Sequence, residues 1–466
     1  MKKKQLIECS IGLVSFLALT IYSVIFWDDI PDPWYKEIAI IALICFFIHM
    51  VLVYSKYKSI FTFEFIFVVL NTVFCFGRPL LLLMGKEEYI FWDLMVDYSD
   101  HEKWTAGLLA LLVNSGLING FLLLPEKKAG ILEGDDNKYS PVKLFRMGLY
   151  FFLLTEPITI YVAFKNISAI NVSGGYSTAS LNGVIGCLSY VACAGVIAMI
   201  ASKRLSQRQS FVLLILYNVV SLVFATFTGD RRYVVTGILV TFIEYLYVYN
   251  KKIKPLKFAA YAIGGLFVIL IINGIRHARA GAVVSLSSVI SYIFSSDNSI
   301  GSIVYEALAE FGITFFTYSE AVKYYPAIVG FKYGLTYLLG PVTLIPGIGV
   351  VLPRISSMVS VPYPIEEILD YSVGGSLGEE LYGNFGILAV PLSLAAGFII
   401  VWIMRKRMRA NTRSGYSVAK YYILFYFFIN LVRATFNEMF RSCVWTFLIF
   451  AFLSLVIKER SRGCEE

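Results

Sequence analysis

Residues 224–238 read FATFTGDRRYVVTGI, and they decide how the chain is organised. On either side lie apolar runs, 210–228 and 232–250, of the ~20-residue length that crosses a bilayer's hydrocarbon core as a helix. Only Gly229, Asp230 and the two arginines Arg231 and Arg232 interrupt them, so both guanidinium groups must lie close to one membrane interface. They either snorkel to lipid headgroups or build an anion site. If Thr228 or Asp230 caps the second helix, the arginines stand beside free N–H groups at a helix N-terminus, which already favour anions.

Outward from this turn, similar runs recur along all 466 residues. The chain is 58% hydrophobic and 15% charged, well below the roughly 25% charge of a soluble domain. The runs are continuous and do not alternate, which excludes a transmembrane β-barrel. The expected fold is therefore an all-α polytopic integral membrane protein, a single membrane domain over 1–466 with about twelve transmembrane helices. The predicted spans are 5–27, 36–54, 59–85, 104–124, 142–164, 181–202, 210–228, 232–250, 257–275, 384–404, 419–436 and 441–457. The first run resembles a signal peptide, but it is long enough to span and lacks a clear small-residue cleavage site, so it reads as a retained helix. Between the ninth and tenth spans, 276–383 reads as one large external loop region. Its apolar stretches, IVYEALAEFGITFFTYSEAV (303–322) and YGLTYLLGPVTLIPGIGVVLP (333–353), are broken by Gly and Pro. They predict partial amphipathic helices and a re-entrant loop covering a pocket.

Charge sets the orientation. Lys2–Lys4, SKYKS (55–59), SKRLSQRQ (202–209), KKIKPLK (251–257), RKRMRANTR (405–413) and KERSRGCEE (458–466) all fall on one side of this threading. By the positive-inside rule that side is cytoplasmic, as are both termini. Most of the 40 Lys and Arg then lie inside and most of the 32 acidic residues outside. The net charge of +8 belongs to cytoplasmic loops, and no nucleic-acid partner is expected. The seven cysteines show no paired spacing and read as free thiols, mostly inside apolar runs.

The arginine pair of the opening stretch faces outward, against the bias. So do Arg78, Arg276, Arg279, Arg354, Arg433 and Arg441. Lysine serves where a solvated charge is enough, whereas the planar fork of arginine suits phosphate or carboxylate. In NGIRHARAG (273–281), Arg276 and Arg279 share a helix face, with His277 on another. In YSVGGSLGEELYGNFGILAVPL (371–392), Ser376, Glu380 and Asn384 make one polar stripe and Glu379 and Tyr382 a neighbouring one. Two carboxylates amid apolar residues suit general-base work, or ion pairing with the arginines. In NLVRATFNEMFRS (430–442), Arg433, Asn437 and Arg441 are spaced i, i+4, i+8, with Arg433 inside a span. Together these predict an outward arginine-rich pocket suited to a pyrophosphate. No Walker A, HExxH or dinucleotide motif is present, so no cofactor is expected and the substrate must carry the energy.

In its helix plan, its late external loop, TGDRR (228–232) and GGSLGEELYGNFG (374–386), the chain resembles the bacterial O-antigen and capsule repeat-unit polymerases, the Wzy-type family. That resemblance implies a glycosyltransferase of the bacterial cytoplasmic (inner) membrane with an outward-facing site. It would transfer a growing undecaprenyl-pyrophosphate-linked glycan to an incoming lipid-linked repeat unit, with the bilayer, a flippase and chain-length regulator proteins as partners. Arg231, Arg232, Arg276 and Arg279 would hold the pyrophosphate and stabilise its leaving charge. Glu379 or Glu380, or His277, would activate the acceptor hydroxyl. Arg78, Tyr382, Asn384, Arg433, Asn437 and Arg441 would position substrate, and no metal is needed. The competing readings are an oligosaccharide flippase, an O-antigen ligase, a metal-dependent glycosyltransferase using Asp28, Asp29 and Asp32, and a non-enzymatic scaffold.

Overall fold

A computed structural model describes residues 3–89, 98–124, 139–173, 183–228, 232–249, 264–265, 270–271, 273–274, 286–294, 299–369, 373–410 and 414–457. The elements are helical and no strand occurs among the described residues. In chain order the helices are α1 (Lys3–Ile25), α2 (Trp34–Tyr57), α3 (Phe63–Leu83), α4 (Asp100–Leu123), α5 (Pro141–Ser173), α6 (Gly183–Leu188) and α7 (Cys193–Ala201). Next come α8 (Gln207–Thr228), α9 (Arg232–Val248), α10 (Leu286–Ile293), α11 (Ile300–Phe311), α12 (Thr314–Tyr324) and α13 (Leu335–Leu339). The last are α14 (Ile348–Val351), α15 (Ile355–Val359), α16 (Pro362–Leu369), α17 (Leu377–Phe385), α18 (Ala389–Ala410), α19 (Gly415–Asn430) and α20 (Phe436–Val456). Among the described residues, 9 helical stretches are long and apolar enough to cross a membrane.

The chain forms two compact units. Unit 1 comprises residues 1–128, 304–404 and 431–439; unit 2 comprises 129–303, 405–430 and 440–466. Unit 1 is built on α4, which is buried along nearly its whole length and carries α1, α2 and α12 against it. A helix apolar on all sides belongs at the centre of a bundle. The start of α4 is set by a capping box: Glu102 N–H donates to Ser99 Oγ (3.2 Å) and Ser99 N–H to Glu102 Oε2 (2.7 Å). Halfway along, His49 Nε2 of α2 lies 3.3 Å from Ser115 Oγ and 3.5 Å from Asn119 Nδ2, so buried polar side chains tie α2 to α4. In unit 2, α7 packs on α5, α9 and α19, and α8 packs on α5 and α9. Gly148 and Gly195 let the backbones of α5 and α7 approach closely, each facing the other's carbonyl.

The structure redraws several expected boundaries. The span expected at 257–275 lies almost wholly outside the described residues. The one expected at 181–202 is present as Gly183–Ala201, built from α6 and α7, and the one expected at 419–436 ends at Asn430. Within the expected external loop, Ile300–Tyr324 is long and apolar enough to span, with α11 and α12 meeting at Gly312. The Gly and Pro content of the region argues against a regular span here, but Gly312 only separates the two helices, and Glu306 and Glu320 are buried.

Candidate functional site

The segment with the densest polar chemistry is α17, LGEELYGNF, in unit 1. Ser376 caps it: its hydroxyl accepts from Glu379 N–H (3.2 Å), and Glu379 Oε2 accepts from Ser376 N–H (3.1 Å). This S-x-x-E capping box, which the polar-stripe reading of Ser376 missed, supplies the local reason the helix starts. A second bond fixes its position, from Leu377 N–H to the Leu431 carbonyl at 3.0 Å.

Glu379 and Glu380 are both fully buried, with 0% exposure. Being adjacent, they point in different directions. Glu379 faces the bundle core, where it interacts with Thr317 and Glu320 of α12. The Tyr318 hydroxyl, which donates to Asn114 Oδ1 (3.3 Å), packs against the Cα of Gly378 so closely that a side chain there would collide with it. Glu380 faces the other way: its Oε2 accepts from Phe436 N–H (2.6 Å), capping the first turn of α20, and it also interacts with the Thr336 hydroxyl. Glu320, Tyr318, Asn114 and Thr336 come from distant parts of the chain, so no local spacing in the sequence could have assigned them to the site.

Asn384 pins residues 332–336 onto this helix. Its Oδ1 accepts from Gly334 N–H (3.0 Å), while its Nδ2 donates to Thr336 Oγ1 (2.8 Å) and to the Glu380 carbonyl (2.7 Å). Lys332 and Tyr333 N–H donate to the carbonyls of Gly383 and Asn384 (3.0 and 2.9 Å). Asn437 continues the clamp, accepting from Thr343 Oγ1 (2.9 Å). Tyr382 is half-buried and meets Phe331 edge-to-face at 5.9 Å. Burial lowers the Lys332 ammonium pKa from its ordinary value, with a weaker opposing effect from Glu367. Its Nζ donates to the Ser357 carbonyl (2.9 Å). Asn384→Leu keeps the branched outline of the side chain but strands the Gly334 amide, at a cost of about 1–3 kcal/mol. The expected result is a lower melting temperature for the purified protein, with faster proteolysis within 333–353.

The arginines are distributed differently. Arg231, Arg276, His277 and Arg279 lie outside the described residues, as does Asp230, while Thr228 ends α8. Arg232 begins α9 in unit 2, half-buried, with its guanidinium 4.5 Å from the Tyr233 ring centre. Arg441, also in unit 2, donates from Nη2 to the Gly183 carbonyl (3.1 Å). Arg78 is buried in unit 1 beside Pro79 and donates from Nε to the Ala309 carbonyl (3.3 Å). Arg433 sits in the turn between α19 and α20, so the continuous Arg433–Asn437–Arg441 stripe is corrected: only Asn437 and Arg441 share a helix. Asp28, Asp29 and Asp32 are exposed, with Asp28 Oδ1 3.7 Å from His101 Nε2. Among the described residues, no three His, Cys, Asp or Glu side chains gather as metal ligands would.

Residues 9–461 match the protein family described as O-antigen polysaccharide polymerase Wzy. No curated protein and no solved structure matches the chain.

Proposed function

Because the chain belongs to the O-antigen polysaccharide polymerase Wzy family, we propose that it joins lipid-linked glycan repeat units at the outer face of the cytoplasmic membrane. The donor is a growing glycan on undecaprenyl pyrophosphate, and the acceptor is the end-sugar hydroxyl of an incoming lipid-linked unit. The bond from the donor's anomeric carbon to pyrophosphate oxygen breaks, and a glycosidic bond to the acceptor oxygen forms. The hydroxyl proton passes to a carboxylate, and undecaprenyl pyrophosphate leaves. The observation that carries this reading is the family match across nearly the whole chain, in a protein rich in membrane-spanning helices.

Arg231, Arg232, Arg276 and Arg279 neutralise the pyrophosphate as it departs, the role to which fixed guanidinium forks are suited. Glu380 accepts the acceptor's proton. It is favoured over Glu379 because it faces the segment 334–337, whose displacement would uncover it, whereas Glu379 faces the packed core. Tyr382, Asn384 and Asn437 act by placing that segment, and Arg78, Arg433 and Arg441 by holding sugar or phosphate.

The test is Arg231→Ala and Arg276→Ala in a cell that makes the polymer. Each variant should reach wild-type membrane abundance yet lose about 100-fold in polymer, as removal of one charge-stabilising group does elsewhere. Single lipid-linked units should accumulate on the outer face. Full-length polymer from both variants would overturn the clamp. Accumulation on the inner face would indicate a flippase.

A further inference from the structure

From Tyr333 to Pro353 the chain runs 21 residues without Asp, Glu, Lys or Arg, with Lys332 and Arg354 at its two ends. The structure folds this stretch into α13, a 3-10 turn over Gly340–Leu344 and α14. Its base is closed by the bond from Lys332 Nζ to the Ser357 carbonyl. The stretch has two faces of opposite character. The inner face holds its polar groups: Thr336 on Asn384, Thr343 on Asn437 and the Gly340 carbonyl, and Tyr337 between Phe385 (6.2 Å, stacked) and Phe436 (5.2 Å, edge-to-face). The outer face is hydrocarbon, with Leu338 73%, Ile345 55%, Val350 85% and Val351 74% exposed.

An exposed apolar face of this extent marks a protein or membrane interface. Three observations select the bilayer. The stretch is anchored at the heads of the apolar segments that begin at Leu377 and Phe436, both long enough to span, and the first of these itself exposes Ile387 and Leu388, at 56% and 60%. Its backbone is bonded within itself, through Leu338 to Gly334, Ile345 to Val342, Val350 to Gly347 and Leu352 to Ile348; Pro341, Pro346 and Pro353 have no N–H to satisfy. Irregular backbone is tolerated at membrane depth only when its polar groups are met by protein in this way. Finally, the first charge after the apolar tip is the exposed Arg354, where a guanidinium would reach lipid phosphate.

We infer that residues 333–353 are a re-entrant segment that enters one leaflet, lays Leu338, Ile345, Val350 and Val351 against lipid chains and brings Arg354 to the headgroup phosphates. The partner is the lipid surface itself. The inference does not depend on which residue is the base or which face of the membrane the site occupies.

The test places a nitroxide at Val350→Cys, and separately at Leu338→Cys, in the full chain reconstituted into phosphatidylethanolamine–phosphatidylglycerol vesicles. Both side chains are largely exposed, so neither change removes a core contact. The wild-type chain, taken through the same labelling, supplies the background of its own cysteines. Collisions with dissolved oxygen should exceed those with a water-soluble nickel chelate at both positions. At Ser356→Cys, exposed just beyond Arg354, the order should reverse. Nickel access at 350 and 338 equal to that at 356 would overturn the inference. So would labels shielded from both agents whose spin–spin broadening disappears on dilution with unlabelled protein, a result that assigns the face to contact between copies.

Discussion

Gly397→Leu should leave no folded protein to extract from the membrane. In unit 1, α4 carries Gly116 and Gly120 one turn apart, and α18 carries Ser393 and Gly397 at the same spacing. A Cβ on Gly397 would strike the Leu117 carbonyl oxygen, with Leu117 Cα at 3.0 Å; one on Gly120 would strike the Leu394 carbonyl, with Phe398 N at 2.7 Å. These obstacles are backbone, which cannot rotate aside as a side chain would. Helices in lipid gain nothing from hydrophobic exclusion of one another, so this close approach is itself the source of their attraction. Leucine must push α18 off the central helix. Because the obstacle is backbone, the cost exceeds the ~1–3 kcal/mol of ordinary overpacking and takes up most of a total stability of about 5–15 kcal/mol. Gly116→Ala should be milder, because its first neighbour is the Ser393 hydroxyl, a side-chain atom. Size-exclusion profiles of the detergent-extracted proteins read the difference: a monodisperse peak for wild type and for Gly186→Ala, whose Cβ meets nothing within 4 Å, and aggregate for Gly397→Leu. A wild-type profile and melting curve for Gly397→Leu would show that α4 and α18 do not cross here.

How much of this was legible in the sequence depends on the range of the physics involved. Helix existence is local: an apolar run of sufficient length makes a helix whatever its neighbours, so α1 to α5, α8 and α9 are helical where the runs put them, although α8 and α9 are not among the 9 stretches long and apolar enough to span. The helical pair 300–324 escapes a sequence reading because the Gly and Pro content of the loop region argues against regular spans, whereas Gly312 only separates α11 from α12 and tertiary packing buries Glu320. The break at 431–435 carries no Gly or Pro to announce it; it is fixed by the bond from Leu377 N–H to the Leu431 carbonyl, which joins segments far apart in sequence. The spacing of Glu380 and Asn384 could be read by counting, because both lie in the regular helix α17, whereas Ser376 precedes it as an extended N-cap bonded to Glu379. What surrounds it could not: Phe436 and Thr336 reach it from two segments far away in the chain, and Asn437, next to Phe436, ties Thr343 to the same place.

Glu380→Gln separates the two jobs open to this carboxyl. The first is mechanical, since Oε2 takes the Phe436 amide at 2.6 Å and so fastens the start of α20 to α17. A carboxamide oxygen can accept the same bond, so the variant should fold, reach the membrane at wild-type abundance and melt close to wild type. The second job is chemical, and glutamine cannot do it: it has no proton affinity to offer an acceptor hydroxyl. Losing a general base costs about 1000-fold within the range such groups contribute, so polymer should all but disappear while single lipid-linked units accumulate. Glu379→Gln gives the contrast. Its carboxamide can still accept from Ser376 N–H to close the capping box, and because that side chain faces the α12 side of the core, polymer should stay within about tenfold of wild type. Glu380→Ala removes the acceptor altogether, stranding the Phe436 amide at a cost of about 1–3 kcal/mol, which appears as a lower melting temperature before any assay of product. If Glu380→Gln makes polymer at the wild-type yield, then Glu380 is only a strap between α17 and α20, and the proton must go to Glu379 or His277.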